Sequence, residues 1–397
     1  MSALLTAALF SLCTVLVSGQ SPSFNGRFGQ TANGAPFPQR FSWAASSMYV
    51  PFQDAQNITI AFSRVPGTGP SHFEIRVDSQ LLESASTVGA GPTYVSVPLA
   101  GTGARTLTIT KITEAALGEA TVDNVVLDRG SFGPMRTNAL GRRMEIIGAS
   151  TMNGFGNLGS SSGCQPSYQA CLLMLQDWHH PAEDAVLAVG PLVANHFGAR
   201  FALLAWSGAG ILKRGMIVRP GNGAEQTLVR EAPTIPELYS RIIASDPGSS
   251  YDQSSFVPQV VLLDAGGNDF SNGTKPPSNW AADYRGFLQK IRSNAPDADI
   301  IVLSLPSNVK SPIMGQASAQ MYAQALSQQV QELKGQGFKK LHLLSLPATV
   351  MQDNSLGCYG HPTQATHMEM ASIVQAFVAN ITSWGPVGTG ASFLYNN

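Results

Sequence analysis

Three polar residues in this sequence are of the types needed to attack an ester. Ser150 lies where an apolar run meets a glycine-rich turn, and His361 lies far downstream in the segment Gly-Cys-Tyr-Gly-His-Pro. Asn268 lies between them in Gly-Gly-Asn-Asp, again at the end of an apolar run. A serine hydroxyl becomes a competent nucleophile when an imidazole accepts its proton, and the imidazolium then protonates the leaving alcohol. We therefore predict a serine esterase with Ser150 as nucleophile and His361 as base.

The same reaction builds negative charge on the former carbonyl oxygen, which fixed hydrogen-bond donors must stabilise. We predict three donors for this oxyanion hole: the backbone N–H of Ser150, the backbone N–H of Gly208 and the side-chain amide of Asn268. Gly208 belongs to a Ser-Gly-Ala-Gly segment. A glycine suits this position because the substrate must approach the backbone closely. Gly210 is the alternative donor if the register of this segment is shifted.

The first part of the chain has the sequence pattern of a β-sandwich. Up to about residue 138, short runs of alternating apolar and polar residues are separated by Gly, Pro, Asn and Ser, which is typical of half-buried strands. Together these runs predict a jelly-roll β-sandwich domain over residues 20–138. The predicted strands are Asn57–Phe62, His72–Val77, Thr93–Val97, Arg105–Ile109 and Ala120–Leu127.

The pattern changes after residue 138 to apolar strands separated by helical stretches. This alternation predicts a three-layer α/β/α domain with a mainly parallel sheet over residues 139–397. In such sheets ligands bind beyond the carboxyl ends of the strands, so the segments that contain Ser150, Gly208 and Asn268 are expected to meet in one crevice. The predicted strands are Met144–Gly148, Phe201–Trp206, Gln259–Leu263, Ile300–Leu305 and Leu341–Leu346, and the predicted helices contain Trp280–Ile291, Tyr322–Leu333 with Gly335 as C-cap, and Met370–Ile381.

The composition and the amino terminus indicate a secreted protein. The 397 residues carry a formal net charge of -1 with no block of Lys or Arg, so nucleic acid is not an expected partner. The apolar stretch Ala3–Val17 is shorter than the ~20 residues that span a bilayer. We interpret residues 1–19 as a signal peptide, which leaves no membrane segment in the mature, extracellular form. The alternative is a membrane anchor. The sequons at Asn57, Asn272 and Asn380 agree with a secretory route and predict a glycoprotein.

Cysteine usage fits an oxidising compartment. Cys13 would leave with the signal peptide, so the mature chain keeps Cys164, Cys171 and Cys358. Either the first two clip a loop, or Cys358 bridges to that loop, and one thiol stays free in both cases.

No Cys/His spacing in the sequence resembles a zinc site. His179, His180 and His367 have no partner carboxylates or thiolates at ligand spacing, and we interpret them as structural or exposed. We expect neither a metal nor a cofactor.

Six segments in the same order resemble the SGNH (GDSL-type) hydrolase superfamily and, within it, carbohydrate esterase family 2. The resemblance spans nearly the whole mature chain and implies deacetylation of xylan and related plant polysaccharides. It also implies the roles predicted above for Ser150, Gly208, Asn268 and His361, and a buttressing role for Asp269. The six segments are Thr110–Ala115, Arg142–Ser150, Ala205–Gly210, Ile235–Arg241, Gly266–Phe270 and Gly357–Pro362.

The sequence departs from this family at two positions. Ala149 stands where the family usually has Asp in Gly-Asp-Ser, and Tyr359 stands where an Asp commonly orients the histidine. That carboxylate fixes the imidazole tautomer and stabilises its cation. We expect a Ser150/His361 dyad assisted by a backbone carbonyl, as in some members of the family, with Asp353 as the alternative His-orienting acid.

Two functions follow from the resemblance. The first is a secreted esterase that removes acetyl groups from wall polysaccharide through an acetyl-serine intermediate. The alternative is a catalytically weak or inactive relative that binds carbohydrate. In both cases the expected partner is an acetylated polysaccharide or oligosaccharide, and we predict that Trp206 and Tyr359 contact the sugar.

Overall fold

The computed structural model describes most of the chain in several stretches. Four predictions fall on residues outside these stretches: the signal peptide, the histidine pair at 179–180, the cysteines at 164 and 171, and Asp353 as His-orienting acid. The described residues are 22–29, 35–66, 71–87, 92–134, 140–159, 183–214, 216–220, 226–231, 233–273, 276, 278–307, 315–352 and 356–387.

The amino-terminal strands form two antiparallel sheets. Their bounds are β1 Ser23–Asn25, β2 Gln39–Phe41, β3 Ser47–Gln53, β4 Asn57–Pro66, β5 Ser71–Val77, β6 Gln80–Thr87, β7 Thr93–Pro98, β8 Ala104–Lys111, β9 Gly118–Leu127 and β10 Ser131–Phe132. One sheet has the order β1-β3-β8-β5-β6, with β10 also paired to β3, and the other has the order β2-β9-β4-β7. The predicted β-sandwich is confirmed.

The core of the sandwich lies between these two sheets. Every second residue of β5 and β8, such as Phe73, Ile75 and Leu107, is buried in it. This two-residue period made the five predicted strands recognisable. Strand β3 was not predicted although Met48, Val50 and Phe52 lie in the core at two-residue spacing, because Tyr49 and Pro51 stand between them in place of polar strand residues.

The second half of the chain forms a parallel sheet with helices on both faces. The strands are β11 Arg143–Gly148, β12 Arg200–Ala205, β15 Val260–Asp264, β16 Asp299–Ser304 and β17 Leu341–Ser345, and a separate hairpin pairs β13 Met216–Pro220 with β14 Gln226–Glu231. The order in the sheet is β12-β11-β15-β16-β17, and every neighbouring pair is parallel. The predicted strands lie within one residue of these bounds, and the predicted fold class is confirmed.

The helices cover the two faces of this sheet. They are α1 Ser150–Asn153, α2 Val189–His196, α3 Ile235–Leu238, α4 Trp280–Asn294, α5 Gln316–Gly335 and α6 Gln364–Thr382, with short 3-10 turns at Ala115–Leu117, Ala185–Leu187, Gln253–Ser255, Gly267–Gly273 and Cys358–Gly360. The predicted C-cap at Gly335 is wrong, because Gly335 is the last residue of α5. The left-handed backbone falls on Gly337 (φ +86°). None of the helices in the described stretches is long and apolar enough to cross a membrane.

The sandwich and the α/β domain share buried contacts. Trp43, which precedes β3, is buried in the core of the α/β domain and donates from Nε1 to the Ile242 carbonyl at 2.7 Å. Arg27 forms a buried ion pair with Glu145 of β11 at 2.9 Å. The sandwich therefore packs as part of one body with the sheet that carries Ser150. The predicted boundary at 138/139 lies outside the described residues.

Candidate active site

The structure brings Ser150 and His361 into hydrogen-bond contact. Ser150 begins α1 directly after β11, and its Oγ lies 2.8 Å from His361 Nε2. The chain can turn sharply here because Gly148 has no side chain. A Cβ at this position would lie 2.8 Å from the Asp264 carbonyl oxygen of β15. The turn leaves Ser150 half-buried at the carboxyl edge of the sheet.

The loop that carries His361 is held against the segment that follows α1. The His361 ring is 8 % exposed and makes an edge contact with Phe155 at 4.9 Å between ring centroids. The backbone N–H of Cys358 donates to the Gly156 carbonyl at 3.2 Å. Because Phe155 and Gly156 follow α1 directly, packing against them places the imidazole next to the serine.

The second nitrogen of the imidazole faces a backbone carbonyl. His361 Nδ1 lies 3.2 Å from the Cys358 carbonyl oxygen. A carbonyl oxygen can only accept, so Nδ1 carries the proton and Nε2 presents its lone pair to the Ser150 hydroxyl. The carbonyl thus orients the imidazole as expected from the sequence. Asp353 lies outside the described residues, as does the side chain of Tyr359.

The predicted oxyanion donors lie on neighbouring strand exits. The backbone N–H groups of Ser150 and Gly208 form no hydrogen bond with another residue in the described part of the protein. Gly208 has φ +80°, a conformation that glycine adopts without strain. The Asn268 amide donates from Nδ2 to the Ala209 carbonyl at 2.9 Å, which ties it to the Gly208 turn.

Gly210 is not an alternative oxyanion donor. Its backbone N–H already donates to the Lys213 carbonyl at 2.9 Å. A Cβ at this position would lie 2.4 Å from Asp269 Oδ1, so Gly210 is needed for close packing against that carboxylate.

Asp269 buttresses the loop that follows Gly210. Its Oδ2 accepts hydrogen bonds from Ile211 N at 2.8 Å and Trp280 Nε1 at 3.0 Å. Its Oδ1 accepts from Leu212 N at 3.1 Å and Lys213 N at 2.6 Å. This agrees with the predicted structural role, because all four contacts lie outside the crevice lining.

We expect Asp269→Asn to destabilise the fold. An asparagine keeps one acceptor oxygen and turns an NH2 group toward two of the four donors, so the free energy of unfolding should fall by about 3 kcal/mol. Urea unfolding at pH 7 measures this change. Asp297→Asn is the matched control, since Asp297 is exposed and its replacement should shift stability by no more than about 0.5 kcal/mol. Equal shifts in the two variants would contradict the buttressing role.

A small cavity opens beside the Ser150/His361 pair. Its volume is about 130 Å3, which is room for about four water molecules. Its walls are formed by the carboxyl ends of β11, β15 and β16, by α5 and by the His361 loop. The lining includes Ser150, Asn268 and His361 together with Leu305 and Met351. The cavity is therefore mostly apolar with the reactive groups at one side.

Asp264 is a cavity-lining residue that was not predicted from the sequence. It is the last residue of β15 and is 9 % exposed, and its carboxyl forms no hydrogen bond with another described residue. Burial raises the pKa of its carboxyl from an ordinary value of 3.8 to about 7. The sequence feature that could have identified Asp264 as a site residue is its position as a charged residue at the end of the apolar run Val-Val-Leu-Leu.

The raised pKa of Asp264 predicts a pH-dependent effect on stability. Between pH 4 and 7 the carboxyl ionises in the unfolded chain but stays protonated in the native one, so its contribution to stability is lost as pH rises. Asp264→Asn removes this loss. The variant should gain about 3 kcal/mol relative to wild type on going from pH 4.5 to pH 8.

Urea unfolding of the wild-type protein and Asp264→Asn at pH 4.5 and pH 8 measures this change in relative stability. The comparison with wild type is essential because burial also raises the pKa of Asp184, to about 7, and affects both proteins equally. A variant that gains nothing at pH 8 relative to pH 4.5 would show that Asp264 has an ordinary pKa.

Two further predictions about site residues can be compared with the structure. Trp206 is 1 % exposed and packs in the core of the α/β domain, so the prediction that it stacks on sugar is wrong. It lies just after β12, and its side chain belongs to the core cluster that also contains Leu204 and Ala209. His367 is fully buried, accepts the Val189 N–H at Nδ1 (3.2 Å), and is structural as predicted. Burial lowers its pKa to about 3.

Cys358 is disulfide-bonded. This agrees with the alternative in which Cys358 bridges to the loop that contains the other two cysteines, although its partner lies outside the described residues. The carbonyl of the same residue orients His361. The disulfide therefore restrains the segment that holds the imidazole.

The chain matches a family model and is similar to two curated proteins. Residues 146–368, more than half of the 397, match the model of the GDSL-like Lipase/Acylhydrolase family. Over 91 % of its length the chain is 26 % identical to "Cellulase/esterase CelE" of Acetivibrio thermocellus, and it spans 39 % of that protein. It is 23 % identical to "Acetylxylan esterase / glucomannan deacetylase" of Cellvibrio japonicus, with 85 % of each chain covered.

The fold is that of a solved carbohydrate esterase. A family two carbohydrate esterase from Clostridium thermocellum, solved in complex with cellohexaose, superposes with a TM-score of 0.74. The superposition covers 92 % of this chain and all of that one, at 24 % sequence identity. The coverage includes both the sandwich and the α/β domain.

Proposed function

Because this chain belongs to the GDSL-like lipase/acylhydrolase family, we propose that it is a serine esterase that removes O-acetyl groups from plant cell-wall polysaccharide such as xylan. The contact of 2.8 Å between Ser150 Oγ and His361 Nε2, at the side of a small cavity, carries the proposal. The similarity to curated acetylxylan and glucomannan esterases supports the substrate class.

The reaction follows from the geometry of the pair. Ser150 Oγ attacks the acetyl carbonyl carbon while its proton passes to His361 Nε2. The negative charge that forms on the carbonyl oxygen is stabilised by the N–H groups of Ser150 and Gly208 and by the Asn268 amide. The bond to the sugar oxygen then breaks, Nε2 protonates that oxygen, and an acetyl-serine remains. Water, deprotonated by His361, releases acetate and restores the serine.

The dimensions of the cavity favour a short acyl group. A volume of about 130 Å3 accepts an acetyl group but leaves no room for a long alkyl chain. Rates on 4-nitrophenyl esters should therefore fall steeply from acetate to butyrate to octanoate. A maximum at octanoate would contradict an acetyl-specific site while leaving the esterase assignment intact.

Acetate release from a panel of acetylated polysaccharides tests the substrate class. We expect release from acetylated xylan or glucomannan, measured enzymatically, and none from the same polymers after alkaline deacetylation. Hydrolysis of 4-nitrophenyl acetate without release from any polymer would retain the esterase and exclude this substrate class. No activity on any ester would exclude the proposed function.

The second candidate function is carbohydrate binding without efficient catalysis. It is favoured by Ala149 and Tyr359, which stand where the family usually has aspartates, and by the relative solved in complex with cellohexaose. Calorimetric titration of cellohexaose into Ser150→Ala separates the two. Binding to this variant, together with equal ester hydrolysis by variant and wild type, would favour the binding function.

We also propose that the protein is secreted after removal of residues 1–19. The apolar stretch Ala3–Val17 and the disulfide at Cys358 support an oxidising, extracellular location. Expression in a secreting host and amino-terminal sequencing of the product test it. A product in the medium should begin near Gln20, and a membrane-retained product that begins at Met1 would contradict the proposal.

A further inference from the structure

Glu114 is a buried carboxylate that the sandwich domain contributes to the neighbourhood of the active site. It lies between β8 and β9 and is 3 % exposed. Its Oε2 accepts two hydrogen bonds, one from Asn153 Nδ2 at 3.1 Å and one from the backbone N–H of Ser207 at 2.9 Å. One oxygen atom thus connects two separate segments of the α/β domain.

The two segments are those that carry the reacting groups. Asn153 is the last residue of α1, the single helical turn that begins with Ser150. Ser207 directly precedes Gly208, whose backbone N–H is a proposed oxyanion donor. The two segments leave the neighbouring strands β11 and β12, whose pairing ends at Gly148 and Ala205, and beyond that point Glu114 Oε2 connects them.

Glu114 is itself held rigidly. Its backbone N–H donates to Glu183 Oε1 at 2.8 Å, and its carbonyl accepts from Lys111 Nζ at 2.9 Å. Lys111 and Glu183 are fully buried, and the Lys111 ammonium also donates to the Thr113 carbonyl at 2.6 Å. The carboxylate is consequently fixed from the sandwich side as well as from the α/β side.

The charges in this cluster compensate one another. Burial raises the pKa of Glu114, whereas the hydrogen bonds from Ser207 and Asn153 and the Lys111 charge lower it. Burial raises the pKa of Glu183 well above its ordinary value, and the neighbouring Glu114 carboxylate raises it further. Both carboxyls therefore have pKa values above the ordinary range, and the positive charge of Lys111 offsets part of the rise in each.

We propose that Glu114 is a positioning residue for the esterase reaction, which holds the Ser150 helical turn and the Gly208 turn at the separation that the tetrahedral intermediate requires. Its role rests on the proposed function, since it acts only through Ser150 and Gly208. It also gives the sandwich domain a part in catalysis, because the residue that aligns the two loops of the α/β domain belongs to the sandwich.

Steady-state kinetics of the variants Glu114→Ala and Glu114→Gln with 4-nitrophenyl acetate test this role. The alanine variant loses the shared acceptor, and a displacement of about 1 Å at the reacting atoms costs about 100-fold in kcat. The glutamine variant keeps an acceptor oxygen but loses the charge that strengthens both bonds, so kcat should fall by about 3- to 10-fold. KM should change by less than about twofold in both, because no contact with the substrate is removed.

The matched control is Glu145→Gln. Glu145 is an equally buried carboxylate that also joins the amino-terminal region to the α/β domain, through Arg27 at 2.9 Å, but it does not contact either loop. This variant should lose stability and keep kcat within about twofold. Concentrations of competent sites are obtained by titrating Ser150 with a phosphonate ester, so that partial unfolding does not count as slow turnover.

Each outcome decides the role of Glu114. The positioning role of Glu114 would be overturned if Glu114→Gln kept the wild-type kcat. It would also be overturned if Glu114→Gln and Glu145→Gln lost kcat equally. Both results can be obtained even if Glu114→Ala fails to fold. An inactive wild-type protein would instead contradict the proposed function. The positioning role is supported if kcat falls in the order wild type, Glu114→Gln, Glu114→Ala while KM stays constant.

Discussion

Replacing Ser150 by alanine should lower kcat/KM for 4-nitrophenyl acetate by at least about 1,000-fold, because the acetyl-serine intermediate can no longer form. The residual rate would come from the oxyanion donors alone. Circular dichroism and thermal unfolding should match the wild-type protein, since Ser150 is half-buried and its hydroxyl bonds only to His361 among the described residues. The measurement is initial-rate kinetics on purified proteins.

The pair Ser150 and His361 should behave as one unit. Ser150→Ala, His361→Ala and the double variant are expected to have nearly the same residual activity, because a nucleophile without its base and a base without its nucleophile are both ineffective. If the losses in the two single variants multiply in the double variant, the two residues act independently and the dyad is wrong.

Ser304→Ala is the matched control for the nucleophile. Ser304 is also a serine at the carboxyl end of a strand in the same sheet, but it does not line the cavity and makes no side-chain hydrogen bond with another described residue. Its replacement should leave kcat/KM within about twofold of wild type. A loss comparable to that of Ser150→Ala would point to damage of the sheet edge in general.

Replacing Asn268 by alanine should lower kcat by about 100- to 1,000-fold with little change in KM, since the amide stabilises charge that exists only in the transition state. In the structure this amide donates to the Ala209 carbonyl at 2.9 Å. It is thereby held beside the Gly208 turn, and its second N–H remains available for the oxyanion. Steady-state kinetics on 4-nitrophenyl acetate measures the effect.

Asn268→Asp sharpens this prediction. The aspartate has the same size but offers no donor and places a negative charge beside the developing oxyanion, so its kcat should be no higher than that of Asn268→Ala. Asn279→Ala is the control, because Asn279 is exposed and, among the described residues, its side chain bonds only to Asp283, at 2.6 Å. An aspartate variant with wild-type kcat would exclude Asn268 from the oxyanion hole.

The orientation of His361 by a carbonyl has a consequence for catalysis. The Cys358 carbonyl fixes the tautomer as a carboxylate would, but it carries only a partial charge and stabilises the imidazolium less. The disulfide at Cys358 and the packing of Gly156 against Cys358 help to keep this carbonyl in place.

Local sequence patterns were sufficient to predict those elements in which the polarity of each residue reflects whether it is buried. The two-residue period of the sandwich strands and the apolar runs of the parallel strands reflect burial directly, so most strand bounds could be predicted to within a residue. Strands β1, β2, β3, β6 and β10 were not predicted, and in β3 Tyr49 and Pro51 interrupt the alternation. Helix α2 was missed because burial on several sides removes the periodicity on which such predictions depend.

Residues whose roles depend on distant partners could not be identified in this way. Glu114 lies in one of the segments that resemble the esterase family, yet its contact with Asn153 and Ser207 joins residues 39 and 93 positions away. Trp206 lies beside the predicted oxyanion turn in sequence, but its side chain points into the core. Gly210 is excluded as a donor because its amide is already bonded and it packs against Asp269, neither of which the sequence shows.

The sequence by itself determined the fold class, the three strand exits and the residue types available at each of them. These follow from short-range periodicity and from side-chain chemistry, which the chain carries locally. Only the tertiary structure decided that Ser150 Oγ and His361 Nε2 lie 2.8 Å apart, that the Cys358 carbonyl faces His361 Nδ1, and that Glu114 accepts a hydrogen bond from the Ser207 N–H. Such contacts join residues that are far apart along the chain, and their geometry is set by how the two domains pack.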